Sequence, residues 1–333
     1  MAVTIKDVAR EAGVAISTVS RYINGAPVKP ENEKAIEAAI KQLKFSPNRS
    51  ARGLKNLRTY TVGVVMQQVD TVYSAKLAVS IEKYLNAMGC AMVLCCHEGS
   101  VESAREYVEF LTEQMVDGIL LCSVPLEEDF LGAAVEAGIP IVGLEDRIED
   151  CRMDVVRVDG VTSSYELVEG MVRKGHRKIA IINGAKRWTA ARERLRGYLR
   201  VLEDYEIPVR EEWILDGDFR EASGYEGMKR LWEQEERPTA VFAANYYICV
   251  GVMRAVQELR IRVPEELSVV SFDDHILSVM VEPKLTAVEQ PLEQVAAEAC
   301  RLLQERIEKK ETGKPRTVRL KARVIPRDSV GPA

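Results

Sequence analysis

Apolar positions change their period near residue 60. Ahead of it they recur at helical spacing: Val8 with Ala12, Val19 with Ile23 and Tyr22 beside them, then Ile36, Ala39, Ile40 and Leu43. Beyond it, short β-branched runs alternate with amphipathic stretches. Val62–Met66, Ala91–Cys95, Gly118–Cys122, Ile139–Leu144 and Val155–Val158 read as strands, and the rhythm resumes with Lys178–Ile182, Trp213–Asp216, Ala240–Ala243 and Ser268–Phe272. Helices are expected near 74–88, 102–115, 127–137, 162–174, 190–205, 221–235 and 246–259. A βαβ alternation repeated twice predicts an α/β body of two doubly wound parallel-sheet subdomains, helices on both faces, behind an all-α head.

The head has its own local logic. Thr4 is placed to cap a first helix, with Asp7 completing a capping box and Val3 and Val8 at staple positions. Gly13 accepts the left-handed backbone that a tight exit needs. A second helix from about Ile16 to Asn24 turns Val19 and Ile23 inward. Ser17, Arg21 and Asn24 cluster opposite, with Thr18 and Ser20 on the flanks. Cap, turn glycine and polar face fall at helix-turn-helix offsets, which makes DNA the expected partner.

Charge agrees with that division. Residues 1–58 carry eleven Lys/Arg against five Asp/Glu, whereas the whole chain carries 46 against 51. A basic head meets phosphates, and the acidic body is repelled by them.

Composition excludes more than it assigns. The 333 residues exceed one typical domain, and no run of apolar residues is long enough to span a membrane. The N-terminus carries no apolar signal core, so a cytoplasmic protein is expected. Seven cysteines (Cys90, Cys95, Cys96, Cys122, Cys151, Cys249 and Cys300) sit mostly in apolar runs without a CxxC spacing, as buried reduced thiols would. With only His97, His176 and His275 there is no metal set, and no cofactor is implied. A phosphate-cradling glycine loop, a nucleophile elbow and an acid–base cluster are all missing, so no catalytic residues are assigned.

Open parallel sheets bind ligands beyond the carboxyl ends of their strands. The polar residues there are Gln67, Gln68 and Asp70; Glu145, Asp146 and Arg147; Asn245 and Tyr246; and Asp273 and Asp274. Their spread over both halves predicts a cleft between two lobes.

Several strings, in order, carry a family likeness. They are Thr4-Ile5-Lys6-Asp7-Val8-Ala9 through Thr18-Val19-Ser20-Arg21, Phe45-Ser46-Pro47-Asn48 with Ala51-Arg52-Gly53-Leu54, Gly175-His176-Arg177, and Arg194-Leu195-Arg196-Gly197-Tyr198. Val263-Pro264 through Phe272-Asp273-Asp274 and Pro283 through Gln290-Pro291 complete the set. The chain resembles the LacI/GalR family of transcription factors over essentially its whole length.

The resemblance implies a helix-turn-helix domain at 1–46, a hinge helix and linker at 47–60, and a periplasmic-binding-protein-like effector-binding and dimerisation body at 61–333. Crossings near Asp159, Glu289 and Lys321 would give an N-subdomain of about 61–159 with 291–320 and a C-subdomain of about 161–288 with 322–333. A homodimer on a near-palindromic operator is implied, with helix 74–88 and Leu277–Val281 at its interface. No leucine heptad follows Arg327, so a tetramerising tail is not expected.

Roles follow residue by residue. Ile16, Ser17 and Arg21 would reach base edges, although Ile16 lies at the rim of the apolar face and a core role stays open. Thr18, Ser20 and Asn24 would meet phosphates or sugars, and Thr4 joins the DNA-facing set. Residues 48–55 are too few, with a glycine inside, for a stable free helix. Leu54 matches the leucine that wedges into the minor groove, with Asn48, Ala51 and Arg52 alongside.

In the cleft, Arg194, Asn245 and Asp273 are the implied polar contacts to a sugar or sugar derivative. Tyr73 and Trp188 would stack its ring, and Glu145 or Asp146 would close from the other lobe. Arg187 and Arg192 beside Trp188 would suit an acidic sugar, unless they are ordinary surface charge. Three departures from the family pattern stand out: Ala15 for a capping serine, Tyr246 for an aspartate, and Val69–Tyr73 in place of an Asn-Pro-aromatic segment.

The leading expectation is a repressor of a carbohydrate catabolism or transport operon, released when its effector binds. The alternatives are the same fold tightened on DNA by a corepressor or protein partner, and a sugar-binding or enzymatic α/β protein. The DNA-binding head counts against the last.

Overall fold

The computed structural model describes residues 3–23, 26–45, 58–123, 130–145, 153–310 and 312–333. It divides into two compact units, residues 1–60 and 61–333.

The first unit packs α1 (Ile5–Glu11), α2 (Ile16–Ile23) and α3 (Pro30–Leu43) around Val8, Ala9, Val19, Ile36 and Ala39. The Thr4 backbone N–H and hydroxyl both donate to Asp7 Oδ2, at 3.0 and 2.7 Å. These bonds hold the Asp7 carboxyl below its ordinary range. Gly13 takes φ +64°, so the turn uses the backbone freedom expected of it. Val8 is fully buried while Val3 stays exposed, so burial reaches only one member of the expected staple.

The second unit holds two six-stranded sheets. The first is built from β1 (Thr61–Met66), β2 (Ala91–Cys96), β3 (Gly118–Cys122), β4 (Ile141–Leu144), β5 (Asp154–Val158) and β11 (Thr317–Leu320), ordered β11-β5-β4-β3-β1-β2 and all parallel. Its helices are α4 (Val72–Ala87), α5 (Val101–Glu113), α6 (Gly132–Glu136) and α12 (Leu292–Ile307).

The second sheet is built from β6 (Ile179–Asn183), β7 (Ile214–Asp216), β8 (Ala240–Ala243), β9 (Ser268–Phe272), β10 (Thr286–Glu289) and β12 (Arg323–Ile325), ordered β12-β10-β9-β8-β6-β7. Its helices are α7 (Gly160–Arg173), α8 (Thr189–Asp204), α9 (Glu221–Trp232), α10 (Tyr246–Glu258) and α11 (Ile276–Met280). The chain passes between sheets after β5, β10 and β11.

The two parallel sheets are as expected, the second carrying one antiparallel edge strand, β12 beside β10. Other readings are corrected. β4 begins at Ile141 and not Ile139: Pro140 has no N–H to give the ladder, and the Ile139 N–H closes α6 by donating to Ala134. Trp213 belongs to a single 3₁₀ turn, Glu211–Trp213. The apolar pattern does not announce α12, β10, β11 or β12. β11 is an edge strand whose exposed positions, Thr317 and Arg319, alternate with half-buried ones, which leaves little apolar signal.

Several quoted strings act through packing. The Arg194–Tyr198 string lies on α8. A Cβ on Gly197 would sit 2.4 Å from the Val161 carbonyl oxygen, so glycine lets α8 lie against α7. The buried Tyr198 hydroxyl donates to the Ile179 carbonyl at 2.8 Å. His176 fastens the C-terminal segment: its Nδ1 lies 2.9 Å from Thr239 Oγ1 and its Nε2 3.2 Å from the Gly331 carbonyl.

Burial, ahead of every other influence, lowers the affinity of His97, His176 and His275 for a proton. An unfolded histidine titrates near 6.5, so below that pH the unfolded chain holds more protons than the native one. Their contribution to stability is full above about pH 6.5 and shrinks as pH falls through it. Glu145, raised by burial, works in the opposite direction, one carboxyl against three imidazoles. The urea midpoint is expected to drop between about pH 7.5 and about pH 5.5, and a flat midpoint contradicts the buried neutral histidines.

Candidate functional site

The helix expected to meet DNA is α2. Val19 fixes its inner face, fully buried. Ser17 and Arg21 are exposed on the other side, and Thr18 and Ser20 are half-buried on the flanks. Ile16 keeps 46 % of its surface exposed, so it is a surface residue and not part of the core. The helix is held in place by Tyr22, whose hydroxyl donates to Glu37 Oε1 at 3.0 Å on α3. Gln42 ties α3 to α1 through Glu11 at 2.8 Å. At Ala15 only the backbone caps: its carbonyl accepts from Thr18 at 2.9 Å and Val19 at 3.2 Å. Thr4 is exposed, with its hydroxyl already donating to Asp7. The assignments at Asn24, Asn48, Ala51, Arg52, Leu54 and Asp146 lie outside the described residues.

In the body, a cavity of about 450 Å³ opens where the strands of both sheets end. Tyr73, Glu145, Trp188, Arg194, Asn245 and Asp273 all line it, drawn from five separate segments, with Trp188 and Arg194 both from α8 and its cap. Glu145, at φ +75°, follows β4. It accepts hydrogen bonds from the Tyr73 hydroxyl and, at 3.0 Å, from Ser123 Oγ. Burial raises its carboxyl above the ordinary range, although those two donors and Arg194 pull the other way. Burial and the neighbouring Glu145 push the Tyr73 phenol up as well.

Arg194 is buried. It donates to the Ala244 carbonyl at 2.5 Å, with its guanidinium 3.9 Å from the Phe272 ring centre. Asp273, at φ +80°, accepts from the Gln290 amide, which comes from the strand crossing after β10. The neighbouring Asp274 turns away from the cleft. It takes a two-point bond from Arg327 at 2.8 and 2.6 Å, anchoring the C-terminal segment.

Asn245 caps α10 with its side-chain oxygen, 2.8 Å from the Ile248 N–H, and donates to the Phe219 carbonyl at 3.0 Å. One amide N–H is left to face a ligand. Trp188 is buried in the wall, with the Arg187 guanidinium 5.3 Å from its ring. Arg187 and Arg192 do not line the cavity. Arg192 instead donates to the carbonyls of Lys186 and Arg187 and to Thr189. The acidic-sugar reading therefore loses its cations.

Ser123, Phe219, Gln290 and Tyr247 also line the cavity and were not assigned from sequence. Phe219 sits at φ +65° with its ring where a Cβ on Gly184 would be, at 2.3 Å. That glycine was the available signal. Tyr247 reaches across the cleft, its hydroxyl 3.3 Å from the Asp70 carbonyl. Tyr246 stacks edge-on against Tyr247 and His275, with centroids 5.2 and 5.1 Å apart. Among the described residues no group of His, Cys, Asp and Glu is placed to hold a metal ion, and no helix is long and apolar enough to cross a membrane.

A helix-turn-helix head with a two-lobed α/β body that opens on a polar cleft defines a class, that of DNA-binding regulators with a periplasmic-binding-protein-like domain. The family model "Bacterial regulatory proteins, lacI family" matches residues 4–48, and "Periplasmic binding protein-like domain" matches 168–330. The chain belongs to the LacI family and is a DNA-binding transcriptional repressor.

Catabolite control protein A of Priestia megaterium is 34% identical over 306 residues, covering 91% of this chain and 92% of that one. The transcriptional repressor PurR of Haemophilus influenzae (strain PittEE) is 34% identical over 312 residues, 93% of each chain. Among solved structures, the transcriptional regulator CelR–cellobiose complex superposes with a TM-score of 0.76 at 31% identity, over 98% of this chain and 99% of that one. The lac repressor dimer bound to operator and the anti-inducer ONPF superposes with a TM-score of 0.88 at 26% identity, over 99% and 100%. These relatives are regulators, not enzymes.

Proposed function

We propose that the chain acts as a homodimer that represses an operon for carbohydrate breakdown or uptake, and that a small polyhydroxylated effector in the cleft releases it from a near-palindromic operator. The observation that carries this reading is the cavity itself, lined at strand ends by residues of both lobes. A ligand touching both lobes differs in affinity between lobe arrangements, the condition for shifting them. The relatives supply the ligand class: one was solved with cellobiose, and another bound to operator.

Exposed apolar side chains support the dimer. Val79 on α4 and Ile276, Val279 and Met280 on α11 face outward, Met280 with 74 % of its surface exposed. On α2, Arg21 forks onto a guanine, Ile16 and Ser17 read base edges, and the flanking hydroxyls grip the backbone. The domain limits at 46, 60, 159 and 320 belong to the same proposal.

Arg21→Ala is expected to weaken operator binding by roughly 1–3 kcal/mol and relax discrimination at one base pair, with the fold intact because the side chain is exposed. Titration against an operator and its single-base variants checks this; unchanged discrimination rejects the assignment. A gel-shift with and without carbohydrate fixes the sign: release supports induction, and tighter binding supports the corepressor alternative.

A further inference from the structure

The charges of the cleft are unbalanced. Among the described residues its ionisable walls hold five carboxylates, Asp70, Glu145, Asp218, Glu221 and Asp273, against Arg194 and Arg220. Two of the five have cations of their own: Glu221 pairs with Arg254 at 2.8 Å, and Asp218 faces Arg220 at 3.9 Å. What remains is Glu145, Asp273 and Asp70 against Arg194. That guanidinium already donates to Ala244 and stacks on Phe272.

Glu145 ends a strand of the first sheet and Asp273 a strand of the second, so bringing the lobes together brings like charges together. Each carboxylate keeps accepting capacity beyond its bonds to Tyr73, Ser123 and Gln290. Tyr246 and Trp188 stand in the same wall as aromatic surface. Carboxylates combined with ring faces recognise cations and repel phosphates.

Resting on the effector reading of this cleft, we infer that its ligand is cationic: an ammonium-bearing polyhydroxylated ring, the chemistry of an amino sugar, with its nitrogen between Glu145 and Asp273. The ammonium removes the repulsion between the two lobes, so charge and closure are coupled. A neutral sugar of the same stereochemistry meets the same rings and hydroxyl partners but leaves the facing carboxylates uncompensated. A phosphorylated one adds to the repulsion.

The test uses the full chain and matched sets in the gluco, galacto and manno series, each with neutral sugar, 2-amino sugar and 6-phosphate, read by calorimetry and thermal shift. In the series the cleft accepts, the amine is expected to bind at least ~10-fold tighter than its neutral counterpart, with no detectable binding of the phosphate. Glu145→Gln and Asp273→Asn should each bring the ratio of amine to neutral-sugar affinity down toward one, whatever either change does to the neutral sugar itself. A neutral sugar binding as tightly as the amine, or a phosphate binding more tightly, overturns the charge assignment and leaves the effector cleft standing. No response to any member of any series overturns the polyhydroxylated effector itself.

Discussion

Asp154→Ala is expected to destabilise the body by about 3–5 kcal/mol, because it removes the carboxylate shared by two partly buried guanidiniums. Arg316 is left with Glu305, and Arg306 with the Gly313 and Lys314 carbonyls. The Asp154 carboxylate is fully enclosed, and two arginines converge on its oxygens. Arg306 Nε and Nη2 donate at 3.0 and 2.8 Å, and the Arg316 backbone N–H and Nη2 both donate at 2.8 Å. One side chain thus fastens β5 to α12 and to the segment entering β11. Burial works against its charge, yet the arginine hydrogen bonds hold the carboxyl down to about 2. Its contribution is present above the unfolded value of 3.8 and is lost as pH falls from there toward 2. Urea unfolding of the variant at neutral pH measures the effect; a loss below about 1 kcal/mol would mean that the two arginines find water instead.

Gly251→Ala is the second large effect, and its sign runs against helix propensity. In a helix interior alanine is favoured over glycine by about 1 kcal/mol. At Gly251 the added Cβ would lie 2.0 Å from the Glu221 carbonyl oxygen and 2.5 Å from the Tyr225 nitrogen, backbone atoms that cannot step aside. Gly224 presents the same contact from the other helix, 2.1 Å from the Ile248 oxygen. Overpacking of this kind costs about 1–3 kcal/mol, so the variant is expected to be less stable despite the better helix former. It also pushes apart α9 and α10, whose first residues line the cleft. Gly170→Ala is the matched control: nothing lies within 4 Å of its added Cβ, and stabilisation of up to about 1 kcal/mol is expected. Thermal unfolding of both variants decides the matter, and equal signs would reject the close-contact account.

Much of the site was legible because strand ends announce themselves. Glu145, Asn245 and Asp273 each follow an apolar run directly, and all three line the cavity. The pair Asp273-Asp274 reads as one acidic feature in sequence, yet the structure divides it between the cleft and Arg327. Period-two alternation does not say which carboxylate meets a partner from 53 residues away. Phe219 and Gln290 escaped assignment for the same reason, since each is placed by a contact distant in the chain. The fold is most legible where strands are buried on both faces, as at β3, β8 and β9. It is least legible at β11 and β12, short edges whose polar residues look like loop.

The three passages between sheets also set an order of events at the ribosome. The core of the head is complete once residue 45 has emerged. The first sheet, by contrast, waits for β11, and the second waits for β12, so neither lobe can finish its edge until nearly the whole chain is out. The DNA-reading element is therefore the first part of the molecule to be finished. The cleft between the lobes takes shape later, because it needs strands of both sheets.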